Sequence, residues 1–248
     1  MMKVSFLFTA LLLSSAAEAR VFDISKDSVA PYFLLTGGSS AVGKAAYENE
    51  ASGVNVSGNV GYNYSGEFGF MYSRKFANLR FGFEILKPQK VDNISGTNSS
   101  GTQLYTETSD ILAYAPKLSV DFNLHGTKEF RSFLSLSAGY GSMTVKNSYS
   151  YTAAGTAAYP GVDSATEAKG NATLLAASLG YEGVLSDTTT YVFEFGYRSM
   201  KFDSLKYSKA YTTMTGAVSS GDSVMNGGSN RSIDFSGGFL SLGFRFYL

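Results

Sequence analysis

The segment LAYAPKLSVDFNL (residues 112–124) places Leu112, Tyr114, Leu118, Val120, Phe122 and Leu124 at even positions, and Ala113, Ala115, Lys117, Ser119, Asp121 and Asn123 at odd ones. Alternation of this kind turns apolar side chains to one face of a strand and polar or small ones to the other. LRFGFEIL (79–86) does the same, with Leu79, Phe81, Phe83 and Ile85 opposite Arg80, Gly82 and Glu84. The pattern returns in FRSFLSLSAGYG (130–141), TLLAASLGYEG (173–183), YVFEFGYRS (191–199) and the final run GGFLSLGFRFYL (237–248). Each apolar face persists for about ten residues, the length a tilted strand needs to cross a bilayer.

The connections alternate in length along the chain. Long segments at 39–53, 91–105, 147–170 and 208–232 are separated by short ones at 77–79, 125–129 and 186–189. This spacing predicts an all-β, eight-stranded antiparallel transmembrane up-and-down barrel, with long loops at one rim and tight turns at the other. The first strand is expected within APYFLLTGG (30–38). The second carries even-numbered apolar residues from Val54 to Phe76 and reads as one long strand. A ten-stranded count, with an extra turn near YSGE (64–67), is the alternative. Pro116 cannot donate to a ladder, so a local bulge is expected there.

Composition agrees with strands and glycine turns: 17 Tyr, 19 Phe and 27 Gly against 4 Pro among 248 residues. The 20 basic and 20 acidic residues cancel, so no electrostatic case for nucleic acid exists. Cysteine is absent, which excludes disulfides and thiolate chemistry. The N-terminus, MMKVSFLFTALLLSSAAEAR, joins Lys3 to an apolar stretch and an Ala-Glu-Ala site. It reads as a signal peptide over residues 1–19, cleaved after Ala19, with the barrel domain over 20–248.

On the polar faces lie Glu67, Lys75, Arg80, Glu84, Lys117, Asp121, Arg131, Glu182, Glu194, Arg198 and Arg245. Facing lipid, a basic side chain costs about 2–4 kcal/mol at the bilayer midplane, so parity turns these groups into the lumen. A symmetric hairpin after Asn123 would set Asp121 opposite Arg131, and the next would set Glu182 opposite Glu194, a like-charge pair needing Arg198 or Arg245 between them. A salt-bridge network filling the lumen is the expectation. In four Gly-Tyr pairs, at 61–62, 139–140, 180–181 and 196–197, the glycine is expected inward, making room, and the tyrosine outward at the interface.

With its signal peptide, alternating strands and apolar closing strand, the chain resembles the small outer-membrane barrels of the OmpA-transmembrane-domain and OmpX type, over about residues 28–248. The resemblance implies residence in the bacterial outer membrane as a monomer, among outer-membrane lipids and lipopolysaccharide. It also implies that periplasmic chaperones and the barrel assembly machinery handle the chain, the latter reading the terminal alternation at Phe244, Phe246 and Leu248. Most members end in phenylalanine, this chain in leucine. The peptidoglycan-binding domain of OmpA proteins is not expected.

An eight-stranded barrel is just wide enough to be filled by side chains, which favours a closed lumen over a pore. The leading role is therefore envelope structure and surface recognition or adhesion, through four long loops that would meet a host or surface ligand. A narrow channel or small-molecule transporter is the alternative. An outer-membrane enzyme ranks below both: the single histidine, His125, falls at a tight turn on the far rim from any outer-surface chemistry, and no catalytic, metal or cofactor constellation is expected.

Overall fold

The computed structural model describes residues 23–24, 28–43, 54–56, 60–88, 91–226 and 228–248. The signal-peptide segment lies outside them. Eight long strands form the body: β1 (Ser28–Gly43), β2 (Val60–Ser73), β3 (Ala77–Pro88), β4 (Gln103–Gly126), β5 (Phe130–Tyr151), β6 (Ala165–Val184), β7 (Thr189–Phe202) and β8 (Gly237–Phe246). Every strand pairs antiparallel with its neighbours in sequence, and β1 pairs with β8 from Tyr32↔Arg245 to Gly38↔Phe239, closing the ring. Closure leaves the body without an unpaired edge, which a bilayer would not tolerate.

Three tight turns share one rim, closed by bonds from Arg74 N to Ala77 O (3.1 Å), Thr127 N to Phe130 O (2.8 Å) and Leu185 N to Thr189 O (2.8 Å). The chain end joins that rim through Leu248 N to Val29 O at 3.1 Å. The opposite rim carries the longer connections. The YSGE segment lies inside β2 with an uninterrupted register to β3, so no extra hairpin forms and the ten-strand alternative falls. The first turn sits at residues 74–76 rather than 77–79, because Ala77 is already paired with Phe122. Val54 to Phe76 is accordingly not one strand: Asn55–Val56 pairs separately with Val91–Thr97, and Phe76 lies in the turn.

Register around Pro116 also differs from expectation. Tyr114↔Ser142 is followed by Lys117↔Gly139 with no shift, so the β4–β5 ladder skips the proline without bulging. The irregularity in that pair lies between Asn123 and His125.

Strands β4, β5 and β6 run to 24, 22 and 20 residues, about twice what a membrane requires. Much of what reads as loop at 91–105 and 147–170 is therefore sheet standing above the bilayer. Along these strands the apolar parity inverts. On β5, Leu134, Leu136 and Tyr140 point outward, whereas farther up Met143, Val145 and Tyr149 point inward and are buried. On β6, Tyr181, Leu179 and Leu175 are exposed while Leu174, Ala172 and Ala168 are buried. Below the switch lipid solvates the outer face; above it water does, and the hydrophobic core moves inside.

That upper core joins Ile111, Met143, Val145, Leu174, Met200 and Phe202 of the strands to Leu205, Tyr207, Tyr211, Val224, Ile233 and Phe235 of the loop 203–236, which folds into the barrel mouth. A short helix α1 (Ala153–Ala158) caps the neighbouring connection, with Thr152 Oγ1 accepting from Gly155 N at 3.1 Å.

Candidate functional site

Below the upper core, the lumen is filled by ionised side chains in two adjoining groups. The group nearer the turns contains Arg80, Arg131 and Arg245 with Asp121, Glu182 and Glu194. Arg245 donates from Nη1 to Glu182 Oε2 at 2.5 Å and from Nη2 to Asp121 Oδ2 at 3.0 Å. Arg80 donates to Asp121 Oδ1 (3.1 Å), Glu194 Oε1 (2.8 Å) and Ser135 Oγ (2.9 Å). Arg131 donates to Glu182 Oε2 at 2.7 Å, Ser73 Oγ at 2.9 Å and Tyr247 OH at 2.7 Å. The remaining acceptor capacity of Glu182 is met by Thr190 Oγ1 (2.5 Å) and Tyr247 OH (2.6 Å). The Arg245 guanidinium also lies 5.1 Å over the Phe133 ring, a cation–π contact between two fully buried groups.

The second group lies on the loop side of the first. Lys117 Nζ reaches Glu67 Oε2 at 2.6 Å and Glu84 Oε2 at 3.3 Å; Arg198 donates to Glu84 Oε1 at 2.7 Å and Asn63 Oδ1 at 2.6 Å. Tyr32 OH donates to Glu67 Oε1 at 2.5 Å, and Ser65 Oγ to Glu84 Oε1 at 2.6 Å. Gly82 makes this possible, because a Cβ there would collide with the Tyr32 hydroxyl and the Glu67 carboxylate. The two groups balance separately, three acids against three bases and two against two. Neutral, hydrogen-bonded clusters are the form in which buried charge is tolerated.

All nine network residues expected from parity, Arg80, Glu84, Lys117, Asp121, Arg131, Glu182, Glu194, Arg198 and Arg245, therefore converge in the lumen. Glu67 joins them. Lys75 does not: it sits exposed in the first turn, over the Phe76 ring at 5.7 Å. The expected cross-strand pairs are also replaced. Asp121 faces Ser135, Arg131 faces Glu182, and Glu194 faces Gly180. Glu182 and Glu194 are bridged by Arg245, which lies 3.9 Å from Glu194, while Arg198 serves Glu84 instead.

Parity counted charges alone and missed the neutral partners: Tyr32, Asn63, Ser135, Ser178, Thr190 and Tyr247. Tyr247 could have been found, since it shares odd parity with Arg245 on the closing run. The four glycine-tyrosine pairs have Tyr62, Tyr140, Tyr181 and Tyr197 exposed, and Gly180 clears space for the Phe133 ring.

A cavity of ≈ 20 Å³ lies between Thr36, Glu67, Lys117 and Arg198, room for about one water molecule. Above it lies the hydrophobic core to which the loop 203–236 contributes, with Asn147 and Ser109 also buried farther up. The outer rim is held by cross-loop bonds such as Thr212 N to Asp163 Oδ2 at 2.8 Å, and by an aromatic cluster in which Tyr105 meets Tyr149 edge-on at 5.6 Å. Phe244, Phe246 and Leu248 project outward from the closing strand, and His125 is exposed near the turn rim, 5.8 Å from Phe130.

The outer wall presents Phe70 at 63% exposure, Phe81 at 66%, Phe195 at 64% and Leu240 at 65%. An apolar belt outside charged contents is the inverse of a water-soluble barrel, and the chain is an integral membrane barrel of the outer-membrane type. No family model matches the sequence, and no curated relative does. Among solved structures, it is similar to the outer membrane protein OprG from Pseudomonas aeruginosa, with 13% identity, 91% of this chain and 99% of that chain covered, and a TM-score of 0.46. Ail, the attachment invasion locus protein of Yersinia pestis, matches at 10% identity over 90% of this chain and 100% of that one, with a TM-score of 0.45. A major outer membrane protein from Thermus thermophilus matches at 12% identity over 88% of this chain and 99% of that one, with a TM-score of 0.49. The barrel assignment rests on the strand ring and its two faces.

Proposed function

We propose that this protein is a non-conducting outer-membrane barrel that braces the envelope and presents a fixed recognition surface outside the cell. The observation carrying this reading is the doubly sealed lumen, a neutral charge plug beneath an apolar core. A solute would have to break ion pairs and then displace Phe202, Leu205 and Phe235, all fully buried. With transport blocked, the surface left for function is the rim, where ordered connections sit on the raised sheet of β4, β5 and β6. The outward Phe244, Phe246 and Leu248 are the groups the assembly machinery would read, and surface ligands would meet the connections at 152–164 and 203–236.

Planar-bilayer recording combined with loop deletion tests this. The protein should give no sustained single-channel steps, and replacing residues 153–163 by a short glycine-serine turn should abolish binding of expressing cells to a cell or matrix surface. Steady conductance would overturn the sealed-lumen reading in favour of transport, and adhesion unaffected by either loop's removal would overturn recognition.

A further inference from the structure

The connection 152–164 and the loop 203–236 meet over one cleft at the outer rim. It is lined by Tyr149 and Tyr151 from the top of β5, by Val162 and Asp163 from the connection, and by Thr213 and Met214 from the loop. The two tyrosine rings lie 6.1 Å apart at 27°, Tyr149 buried and Tyr151 half-buried. Tyr105 stands edge-on to both, at 5.6 and 6.1 Å. Asp163 is exposed, and it is fixed twice across the gap: its N–H donates to Thr212 O at 2.9 Å, and its Oδ2 accepts from Thr212 N at 2.8 Å. Its Oδ1 has no partner among the described residues, and no cation among them pairs with it. The lysines of this rim are engaged elsewhere, Lys146 and Lys169 beside Glu167 and Lys209 over the Tyr211 ring. The Thr213 hydroxyl is also occupied, donating to Gly216 O and accepting from Thr215 N. A carboxylate and two aromatic rings are thus what the cleft offers a ligand.

We infer that this cleft takes the side-chain ammonium of a lysine presented by a partner protein, held by Asp163 and the tyrosine rings, with its methylene stem along Val162 and Met214. Charge selects the class of group. Aromatic rings attract cations, and an ammonium brings three N–H donors to a carboxylate that still has acceptor capacity. An anion would meet negative charge instead. Size selects within the class. The hollow is ≈ 10 Å³, the room of one water-sized group. An ammonium is a compact point charge of that size, whereas a guanidinium is a planar fork and wider. A sugar ring is wider again, and would need an open aromatic face where Tyr105 and Tyr149 are buried. The apolar stem of lysine suits the valine and methionine beside the charged end. This inference deepens the recognition reading and rests on it, since it names the chemistry that the two connections would read.

The test uses the full barrel in non-ionic detergent and three blocked tripeptides, Gly-Lys-Gly, the same peptide acetylated on the lysine nitrogen, and Gly-Arg-Gly, with binding followed by NMR titration. Wild-type protein should bind the lysine peptide about tenfold more tightly than either of the others, with affinity falling as salt rises. Asp163→Asn keeps an acceptor for Thr212 N, so the cross-loop bond survives, and should lose about tenfold for the lysine peptide; its folding is verified by heat-dependent gel mobility. Asp187→Asn, at an exposed turn on the opposite rim, should bind as wild type. Equal binding of the lysine and acetyl-lysine peptides by wild-type protein overturns the inference without needing any variant. So does a preference for arginine, an unchanged D163N variant, or an equal loss in D187N. Lysine-selective binding without loop-dependent adhesion removes the recognition reading alone, and loop-dependent adhesion without lysine selectivity removes this inference alone.

Discussion

Replacing Arg245 with methionine keeps an unbranched apolar stem and removes the guanidinium charge from a site with no solvent exposure. The group around it then holds Asp121, Glu182 and Glu194 against Arg80 and Arg131 alone. Breaking a buried ion pair by removing one partner costs about 3–5 kcal/mol, since the other charge stays desolvated. Here the abandoned carboxylates keep some support: Glu182 retains Arg131, Thr190 and Tyr247, and Asp121 retains Arg80. The expected destabilisation is therefore about 3 kcal/mol, the lower end of that range. Adding Glu182→Gln restores neutrality, so the double variant should be more stable than the sum of the single effects by about 1–2 kcal/mol. Denaturant unfolding in lipid vesicles, followed by heat-dependent gel mobility, measures both. A single variant within about 0.5 kcal/mol of wild type, or a double variant that is simply additive, would refute the claim that charge balance organises the lumen.

Two further outcomes follow from the same geometry. Gly82→Ala puts a methyl group where the Tyr32 hydroxyl and Glu67 carboxylate meet, and should cost about 1–3 kcal/mol of unfolding free energy; an unaffected midpoint would mean the pair can move aside freely. Phe235→Ala empties a fully buried position in the upper core, where such a truncation costs about 3–5 kcal/mol. Because that energy anchors the loop 203–236, external protease should cut the loop while the barrel keeps its heat-dependent mobility, and an uncut loop would show that Phe235 does not hold it.

Period two made the strands and the inward charges legible, because lipid outside and charge inside impose opposite chemistry on alternate residues. Pairing was less legible. Placing Asp121 opposite Arg131 requires the turn geometry, and the irregularity between Asn123 and His125 together with the turn at 127–129 moves Asp121 to Ser135. Lys75 matched the inward pattern only while the turn was set at 77–79; moved to 74–76, it becomes a rim residue. Pro116 passes without a bulge because the ladder resumes in the same register on either side of it. The upper core escaped notice for a different reason. Its outward faces are serine, threonine and lysine, which look like loop, yet SMTVKNSYSY (142–151) alternates too, with Asn147 the one polar inward position, in the opposite phase to the membrane segments.

That change of phase also sets how deep the barrel sits. On β5 the outward face passes from Tyr140 to Ser142 and Thr144 while the inward face gains Met143 and Val145. Sinking by two residues, about 7 Å along the strand, would carry Ser142 and Thr144 into hydrocarbon and bring Lys169 toward it; rising by two would lift Tyr140 and Leu175 into water. Neither drift is compensated from within, since the two halves of the lumen are filled by different chemistry. The protein therefore carries its own waterline, and any partner that binds its rim meets it at a constant height above the lipid.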